Sequence, residues 1–129
     1  MSSKHILLVD DEDDIREIAA ISLEALGGWR VSSASSGAEG IEKAIAGSPD
    51  VILLDVMMPD IAGPTTFKRL QDEPQTRHIP VILLTAKANT ADRHRLEGIG
   101  VAGLLTKPFD PMMLSEQVVA ILAAQAPVA

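Results

Sequence analysis

Three stretches of this chain carry four residues in a row drawn only from Val, Ile and Leu: Ile6-Leu7-Leu8-Val9, Val51-Ile52-Leu53-Leu54 and Val81-Ile82-Leu83-Leu84. Runs this short, without alternation, read as strands covered on both faces, as in the middle of a parallel sheet. The first runs into Asp10-Asp11, the second into Asp55 and the third into Thr85. A carboxylate inside such a core costs several kcal/mol unless it is neutralised or paired. At the carboxyl end of a central strand it escapes that cost and lies where open α/β sheets place their chemistry. Asp55 is therefore either a strand-end cap or the centre of a site.

Helical patterns fill the spaces between the runs. After the acids Asp10 to Asp14, the residues Ile15, Ile18, Ala19, Leu23 and Leu26 recur at helical spacing and predict one core-facing stripe. Acids in that first turn suit the positive end of the helix dipole, and Gly27-Gly28 stops the helix. Residues 29–34 form a short strand with polar alternates, expected at a sheet edge. Ser36-Gly37-Ala38-Glu39 is a capping box opening a second helix that ends near Gly47, with Glu39 and Lys43 able to pair on its wet face. Pro64 suits the first turn of a third helix whose apolar side is Phe67 and Leu70. A fourth helix covers about Thr90 to Glu97, capped by Asn89 or Thr90. A last strand, Val101 to Thr106, ends in Lys107-Pro108. Asp110-Pro111 is expected to cap and start the final helix, whose core stripe is Leu114, Val118, Ile121 and Leu122.

Five strand–helix units in strict alternation predict an α/β fold: a doubly wound, five-stranded parallel sheet with five helices on its two faces. The most apolar strands, one, three and four, belong in the centre and the weaker second at an edge. That gives the order 2-1-3-4-5, with its switch point between strands one and three. The 129 residues suffice for one domain, expected over 1–129 with a core of about 4–124 and no output domain after it. A net charge of −7 disfavours nucleic acid as a direct partner. The absence of cysteine removes disulfides and thiolate metal sites and fits a cytoplasmic location. No stretch approaches a membrane span, so no membrane insertion is expected.

Asp10, Asp11 and Asp55 converge at the expected crevice, provided the strand ends before the adjacent Asp10 and Asp11 are forced to opposite faces. Three carboxylates together repel and call for a cation. Oxygen ligands without histidine or cysteine favour Mg²⁺ or a similar hard ion. Thr85 and Lys107, at the ends of the fourth and fifth strands, add a hydroxyl and a positive charge. Acids, metal, hydroxyl and ammonium are the equipment for stabilising a phosphoryl group in transit, and a carboxylate can itself be the nucleophile.

On these motifs the sequence resembles the receiver domain of bacterial two-component response regulators, in the manner of the chemotaxis regulators. The acidic pair after strand one, Asp55 followed by Val56-Met57-Met58-Pro59-Asp60 and Gly63, Thr85-Ala86, and Lys107-Pro108-Phe109 stand in the family's order. The resemblance implies a flavodoxin-like fold and phosphorylation at Asp55. It implies a Mg²⁺ site formed by Asp11, Asp55 and the Met57 carbonyl with Asp10 acting through water, and phosphoryl contacts from Thr85 and Lys107. It implies a histidine kinase or histidine phosphotransfer protein as donor, and a downstream protein bound through strand five and its flanking helices. A cis bond between Lys107 and Pro108 is common in the family. Self-phosphorylation and self-dephosphorylation are the only chemistry expected, so the chain is read as a signalling module and not an enzyme. Leu104 stands where the family usually has Tyr or Phe, so the usual aromatic switch does not carry over. The residues that tune hydrolysis in the family are here Met57 and Lys87.

Each of these residues also has a plainer reading. Acids at 10, 11 and 13 suit any helix start, but dipole stabilisation does not explain the partner acid at Asp55. Thr85 alone would be a strand-end hydroxyl and Lys107 alone a surface lysine. Phe109, Met112 and Met113 are expected to pack, as is Trp29, and His5, His78 and His94 to lie on the surface. Two competing functions remain: a Mg²⁺-dependent aspartyl phosphohydrolase, which commonly has a second acid where this chain has Met57, and a degenerate receiver acting only by interaction.

Overall fold

The computed structural model describes residues 4–86 and 90–125. Its elements alternate without exception: β1 (His5–Val9), α1 (Asp13–Gly27), β2 (Arg30–Ala34), α2 (Gly37–Gly47), β3 (Val51–Asp55), α3 (Gly63–Asp72), β4 (Val81–Thr85), α4 (Thr90–Glu97), β5 (Gly103–Thr106) and α5 (Leu114–Gln125). All strand pairs are parallel, in the order β2-β1-β3-β4-β5. Every residue of β1, β3 and β4 is buried, as unalternated apolar runs require, whereas β2 and β5 are partly exposed at the edges.

The strands divide their side chains between two cores. Leu7, Val9, Ile52, Leu54, Val81 and Leu83 pack with α2, α3 and α4 through Ala44, Phe67, Leu70 and Leu96. Ile6, Leu8, Val51, Leu53, Ile82 and Leu84 pack with α1 and α5 through Ala19, Leu23, Leu114 and Val118. The alternation of neighbours between the two groups is the period-2 pleat of the strand.

The local signals mostly hold. Gly28 closes α1 in the left-handed region at φ 68°, and Pro64 sits in the first turn of α3. Ser36 Oγ accepts from the Glu39 N–H at the start of α2. The reciprocal half of that capping box is displaced by one residue, with Glu39 Oε1 accepting from the Ser35 N–H at 2.6 Å. Glu39 and Lys43 pair at 3.5 Å. The Lys107–Pro108 bond is cis. Asn89, one of the two candidate caps of α4, lies outside the described residues, as does Lys87.

Four expectations are corrected. Ile18 and Leu26 are exposed on α1, because the sheet and α5 cover only the narrow strip made by Ala19, Ser22 and Leu23. Met112 and Met113 are exposed as well, not packed. Asp110 and Pro111 do not begin α5. Asp110 caps a turn instead, its carboxylate accepting from Met112 N–H at 2.9 Å and its carbonyl from Met113 N–H, and the helix starts at Leu114. His5 is buried, its Nε2 2.6 Å from Ser32 Oγ, while His78 and His94 are exposed as expected.

Candidate functional site

β1 ends at Val9, and the chain turns there to enter α1. The turn releases Asp10 and Asp11 from strand geometry, so both face the same crevice. Asp10 stays buried, its N–H held by the Ala34 carbonyl at 3.1 Å and its Oδ1 accepting from Glu12 N–H at 2.9 Å. Arg16 donates to the Asp10 carbonyl at 2.7 Å and pins the turn from below. Asp55 closes β3 next door, also buried. One carboxylate oxygen from each of Asp10, Asp11 and Asp55 lies within 4.8 Å of the others.

Gly63 makes the crevice wall possible. A Cβ on it would stand 2.5 Å from the Asp55 carbonyl and 2.8 Å from Val56 Cα, so α3 can begin this close to the end of β3 only with glycine. Asp60 in the same loop accepts from the N–H groups of Gly37 and Ala38 at 3.1 Å each, tying the loop to the start of α2. Burial works against the Asp60 charge, but those N–H donors outweigh it and hold the carboxyl below its ordinary range.

Among the described residues, the cation in the crevice is Lys107. Its Nζ lies 2.7 Å from Asp10 Oδ2 and 3.3 Å from both Asp55 Oδ1 and Glu12 Oε1. The contact to Asp10 Oδ2 is an ion pair; among the described residues no well-angled hydrogen bond reaches that buried oxygen. Burial lowers the Lys107 pKa, but the close Asp10 carboxylate and the Asp55 charge overcome this and leave it raised. For Asp55 the balance goes the other way. Burial and the charge of Asp10 push its carboxyl up to about 6, against the lowering pull of Lys107 and the Met57 N–H. One ammonium is thus shared among three carboxylates and satisfies none fully.

The remaining candidates lie around this centre. Met57 donates its N–H to Asp55 Oδ1 at 3.4 Å while its side chain is 67% exposed, covering nothing. Thr85 ends β4, buried, opposite Thr106 in the β4–β5 register, and its carbonyl accepts from Lys107 N–H at 2.8 Å. Lys107 is thereby fixed to the strand that carries Thr85. Leu104 is buried in β5 and packs in the same core as Phe67. Two contributors escaped the sequence reading. Glu12 was visible only as one more acid in a run, and Arg16 acts through the backbone, which leaves no pattern in sequence.

The three acids suit a hard divalent ion. Oxygens in an octahedral Mg²⁺ shell at about 2.0–2.1 Å from the metal are separated by roughly 3–4 Å, so a small contraction of the cluster is enough. The raised Asp55 pKa marks a place where positive charge is in deficit.

The family model of the response regulator receiver domain matches residues 6–119. This chain belongs to that family. The receiver is 42% identical over 118 residues to the Response regulator PleD of Caulobacter vibrioides, covering 90% of this chain and 25% of PleD. It is 37% identical over 118 residues to the Transcriptional regulatory protein CseB of Streptomyces coelicolor, covering 92% and 49%. The receiver therefore spans a quarter to about half the length of these curated relatives. Among solved structures it resembles the chemotaxis response regulator CheY4 of Vibrio cholerae, with a TM-score of 0.86, 29% identity and coverage of 93% and 99%. It also resembles the N-terminal domain of a response regulator receiver protein from Methanoculleus marisnigri JR1, with a TM-score of 0.76, 38% identity and coverage of 95% and 98%. The flavodoxin-like order 2-1-3-4-5 is the fold these structures share with it. No described helix is long and apolar enough to cross a membrane.

Proposed function

We propose that this receiver accepts a phosphoryl group on Asp55 from a histidine kinase or histidine phosphotransfer protein and signals by binding a protein partner. The observation that carries the proposal is the sharing of one ammonium, Lys107, among Asp10, Glu12 and Asp55 beside the Asp10–Asp11–Asp55 cluster. Such a crevice is short of positive charge at rest and is suited to gain a divalent cation and a phosphoryl group together.

Asp10, Asp11, Asp55 and the Met57 carbonyl are the groups proposed to hold Mg²⁺, which when bound neutralises the carboxylates and the phosphoryl oxygens. Asp55 supplies the nucleophile: a carboxylate oxygen forms the new O–P bond as the donor's P–N bond breaks, and the electron pair leaves on the imidazole nitrogen. Lys107, freed from part of its carboxylate load, pairs with a phosphoryl oxygen. Thr85 donates a hydrogen bond to another, a charge-assisted contact stronger than a neutral one. Leu104, without a hydroxyl, follows Thr85 only by packing. The downstream partner then reads β5 and its flanking helices, through protein contacts and not through nucleic acid, as the net charge of −7 favours. The receiver is proposed to occupy 1–129 as one domain and to work in the cytoplasm. Its own chemistry is limited to gaining and losing the phosphoryl group, since Met57 stands where a phosphohydrolase commonly has its second acid.

Incubation with acetyl phosphate and Mg²⁺ should add one phosphoryl mass to the intact protein. Asp55→Asn should remove that mass and chelation of the metal should suppress it. Labelling of the mutant at the wild-type level would refute Asp55 as acceptor, and equal labelling without Mg²⁺ would refute the metal.

A further inference from the structure

Three hollows between α3 and α4 join into one groove. The first, of about 350 Å³, has Met57, Pro64, Arg95 and Leu96 in its walls. The second, of about 290 Å³, shares Pro64 and Ile99 with the first and adds Phe67 and Lys68. The third, of about 340 Å³, shares Phe67 and Gln71 with the second and reaches Arg77 and His78. The groove therefore follows α3, whose 10 residues span about 15 Å at 1.5 Å per residue. Met57 is 67% exposed and Ile99 39%, and buried Phe67 and Leu96 lie beneath them. Scattered apolar residues on a surface need no explanation, but a continuous channel lined by large ones does.

The charges along this channel run against those of the whole chain. The chain has 18 acidic and 11 basic side chains, yet among the described residues no acid lines any of the three hollows. Arg95, Lys68 and Arg77 line them, one in each. The acids of the two helices stand beside the groove. Asp72 pairs with Lys68 at 3.8 Å and Asp92 with Arg95 at 3.2 Å. Lys68 and Arg95 are exposed, so these pairs between neighbours on one helix hold them weakly, and an incoming carboxylate can take over either cation. Glu73 follows α3 and Glu97 ends α4, and neither lines the groove. Arg69 and Arg93 add positive charge on the same helices. At its upper end Met57 borders the Asp55 crevice, where acids gather. The groove is thus acidic at its mouth and cationic from Arg95 down to Arg77.

These features narrow the occupant. At about 0.1 M salt, charges more than about 10 Å away are screened, so a ligand here responds to the local cations and not to the net charge of −7. A two-fold pairing of this face with its own copy would set the cations of one copy against the same cations of the other. A nucleic acid strand needs exposed aromatic faces for stacking, and the aromatic ring of the groove, Phe67, is only 6% exposed. An acidic protein segment with apolar side chains meets both the cations and the hollows. The groove lies on the α3 side of α4. With the strands in the order β3-β4-β5, the β5 side of α4, assigned above to the downstream partner, stays free.

We propose that the α3–α4 groove docks an acidic segment of another protein, whose large apolar side chains enter the hollows and whose carboxylates meet Arg95, Lys68 and Arg77. Its apolar end faces Met57 and the crevice, where a carboxylate would be repelled, and its acids lie lower, towards Arg77. The apolar contacts supply affinity, and the cations set orientation and exclude basic or neutral competitors. The proposal does not rest on phosphorylation and stands or falls separately from it.

The test uses the full chain and two synthetic peptides with the same leucine positions, one carrying glutamate and the other lysine between them. Amide shifts in NMR titrations should map the glutamate peptide to α3, α4 and Ile99, and the lysine peptide should leave them unmoved. Ile99→Ser, at a partly exposed position after α4, should weaken binding several-fold or more. Arg77→Glu combined with Arg95→Glu, both exposed, should weaken it about tenfold or more and flatten its salt dependence. Amide spectra of the unliganded variants check that the fold is kept. No shift with the glutamate peptide, shifts located elsewhere, or equal binding of both peptides would overturn the proposal. So would tighter binding of a single-stranded oligonucleotide at the same amides, or self-association of the chain alone that Ile99→Ser dissolves.

Discussion

The two ends of the sheet solve the same problem in opposite ways. Both bury charged or titratable side chains among apolar strands. At the amino end, buried His5 is held by ordinary hydrogen bonds: its main-chain N–H donates to the exposed Asp50 Oδ2 at 2.7 Å, the Asp50 N–H donates to the His5 carbonyl at 2.8 Å, and its ring Nε2 meets Ser32 Oγ. At the carboxyl end, Asp10, Glu12 and Asp55 share the Lys107 ammonium among the described residues, Asp11 lies beside them, and Asp55 is left with a raised pKa. No excess of like charge gathers around His5, whose side-chain partners are one hydroxyl and one carboxylate. Groups held together at a loss leave free energy for a ligand to recover, and that is the mark of a site.

The comparison can be broken most sharply at Lys107. Removing one partner from a buried charge cluster leaves the others uncompensated, typically costing about 3–5 kcal/mol. Lys107→Met should therefore destabilise the protein by about 3 kcal/mol in urea denaturation at pH 8. At pH 5, where Asp55 has taken up a proton, the loss should be clearly smaller. A loss below about 0.5 kcal/mol at both pH values would mean that the carboxylates do not depend on the ammonium.

Asp55→Asn should act in the opposite direction. An acid whose folded pKa is about 6, against an ordinary 3.8, binds a proton in the fold that the unfolded chain has already lost. Stability from this group is thus present below pH 3.8 and lost as pH rises through 6. Asn cannot ionise, so in the absence of Mg²⁺ the variant should be more stable than wild type by about 1–3 kcal/mol at pH 8. The gain should fade towards pH 4. Destabilisation at pH 8 would contradict the frustration of the carboxyl end.

The amino end should respond more weakly and with the other sign. Asp50→Ala should cost about 1 kcal/mol, an ordinary hydrogen-bond loss, and leave acetyl phosphate labelling unchanged. Burial, with help from Arg30, lowers the His5 pKa despite Asp50. The stability tied to neutral His5 is complete above its unfolded pKa near 6.5 and is lost as pH falls below it. His5→Phe should flatten that acid-side loss while leaving the Asp55 effect in place. Denaturation midpoints measured from pH 4 to 8 on the two variants would separate the ends, and identical profiles would merge them.

How much of this was legible in sequence depends on whether a residue's role is local. Val51 to Asp55 declared both a buried strand and a carboxylate at its exit, because strand burial and strand end are written in neighbouring residues. The same rule places Asp10, Asp11, Thr85 and Lys107 at or just past strand ends, where the structure has them. Ile18 and Leu26 were misplaced because an apolar stripe records how wide a face is, not how much of it the neighbouring helix covers. His5 was misplaced because its partners, Ser32 and Asp50, come from distant segments. The Asp110 turn was misread because an Asp-Pro pair signals a helix start and a turn equally well, and here the carboxylate caps Met112. Gly63 was noticed as part of a motif, but its reason, a contact with the Asp55 carbonyl, is tertiary.

The most direct measurement is the ¹³C chemical shift of the Asp55 carboxyl followed from pH 3 to 9, with and without Mg²⁺, assigned by comparison with Asp55→Asn. Without the metal the carboxyl should titrate near 6. With the metal its titration should move to lower pH, because a bound cation favours the ionised form. A carboxyl that titrates at or below 3.8 without Mg²⁺, or one that Mg²⁺ does not move, would contradict a carboxyl end held short of positive charge.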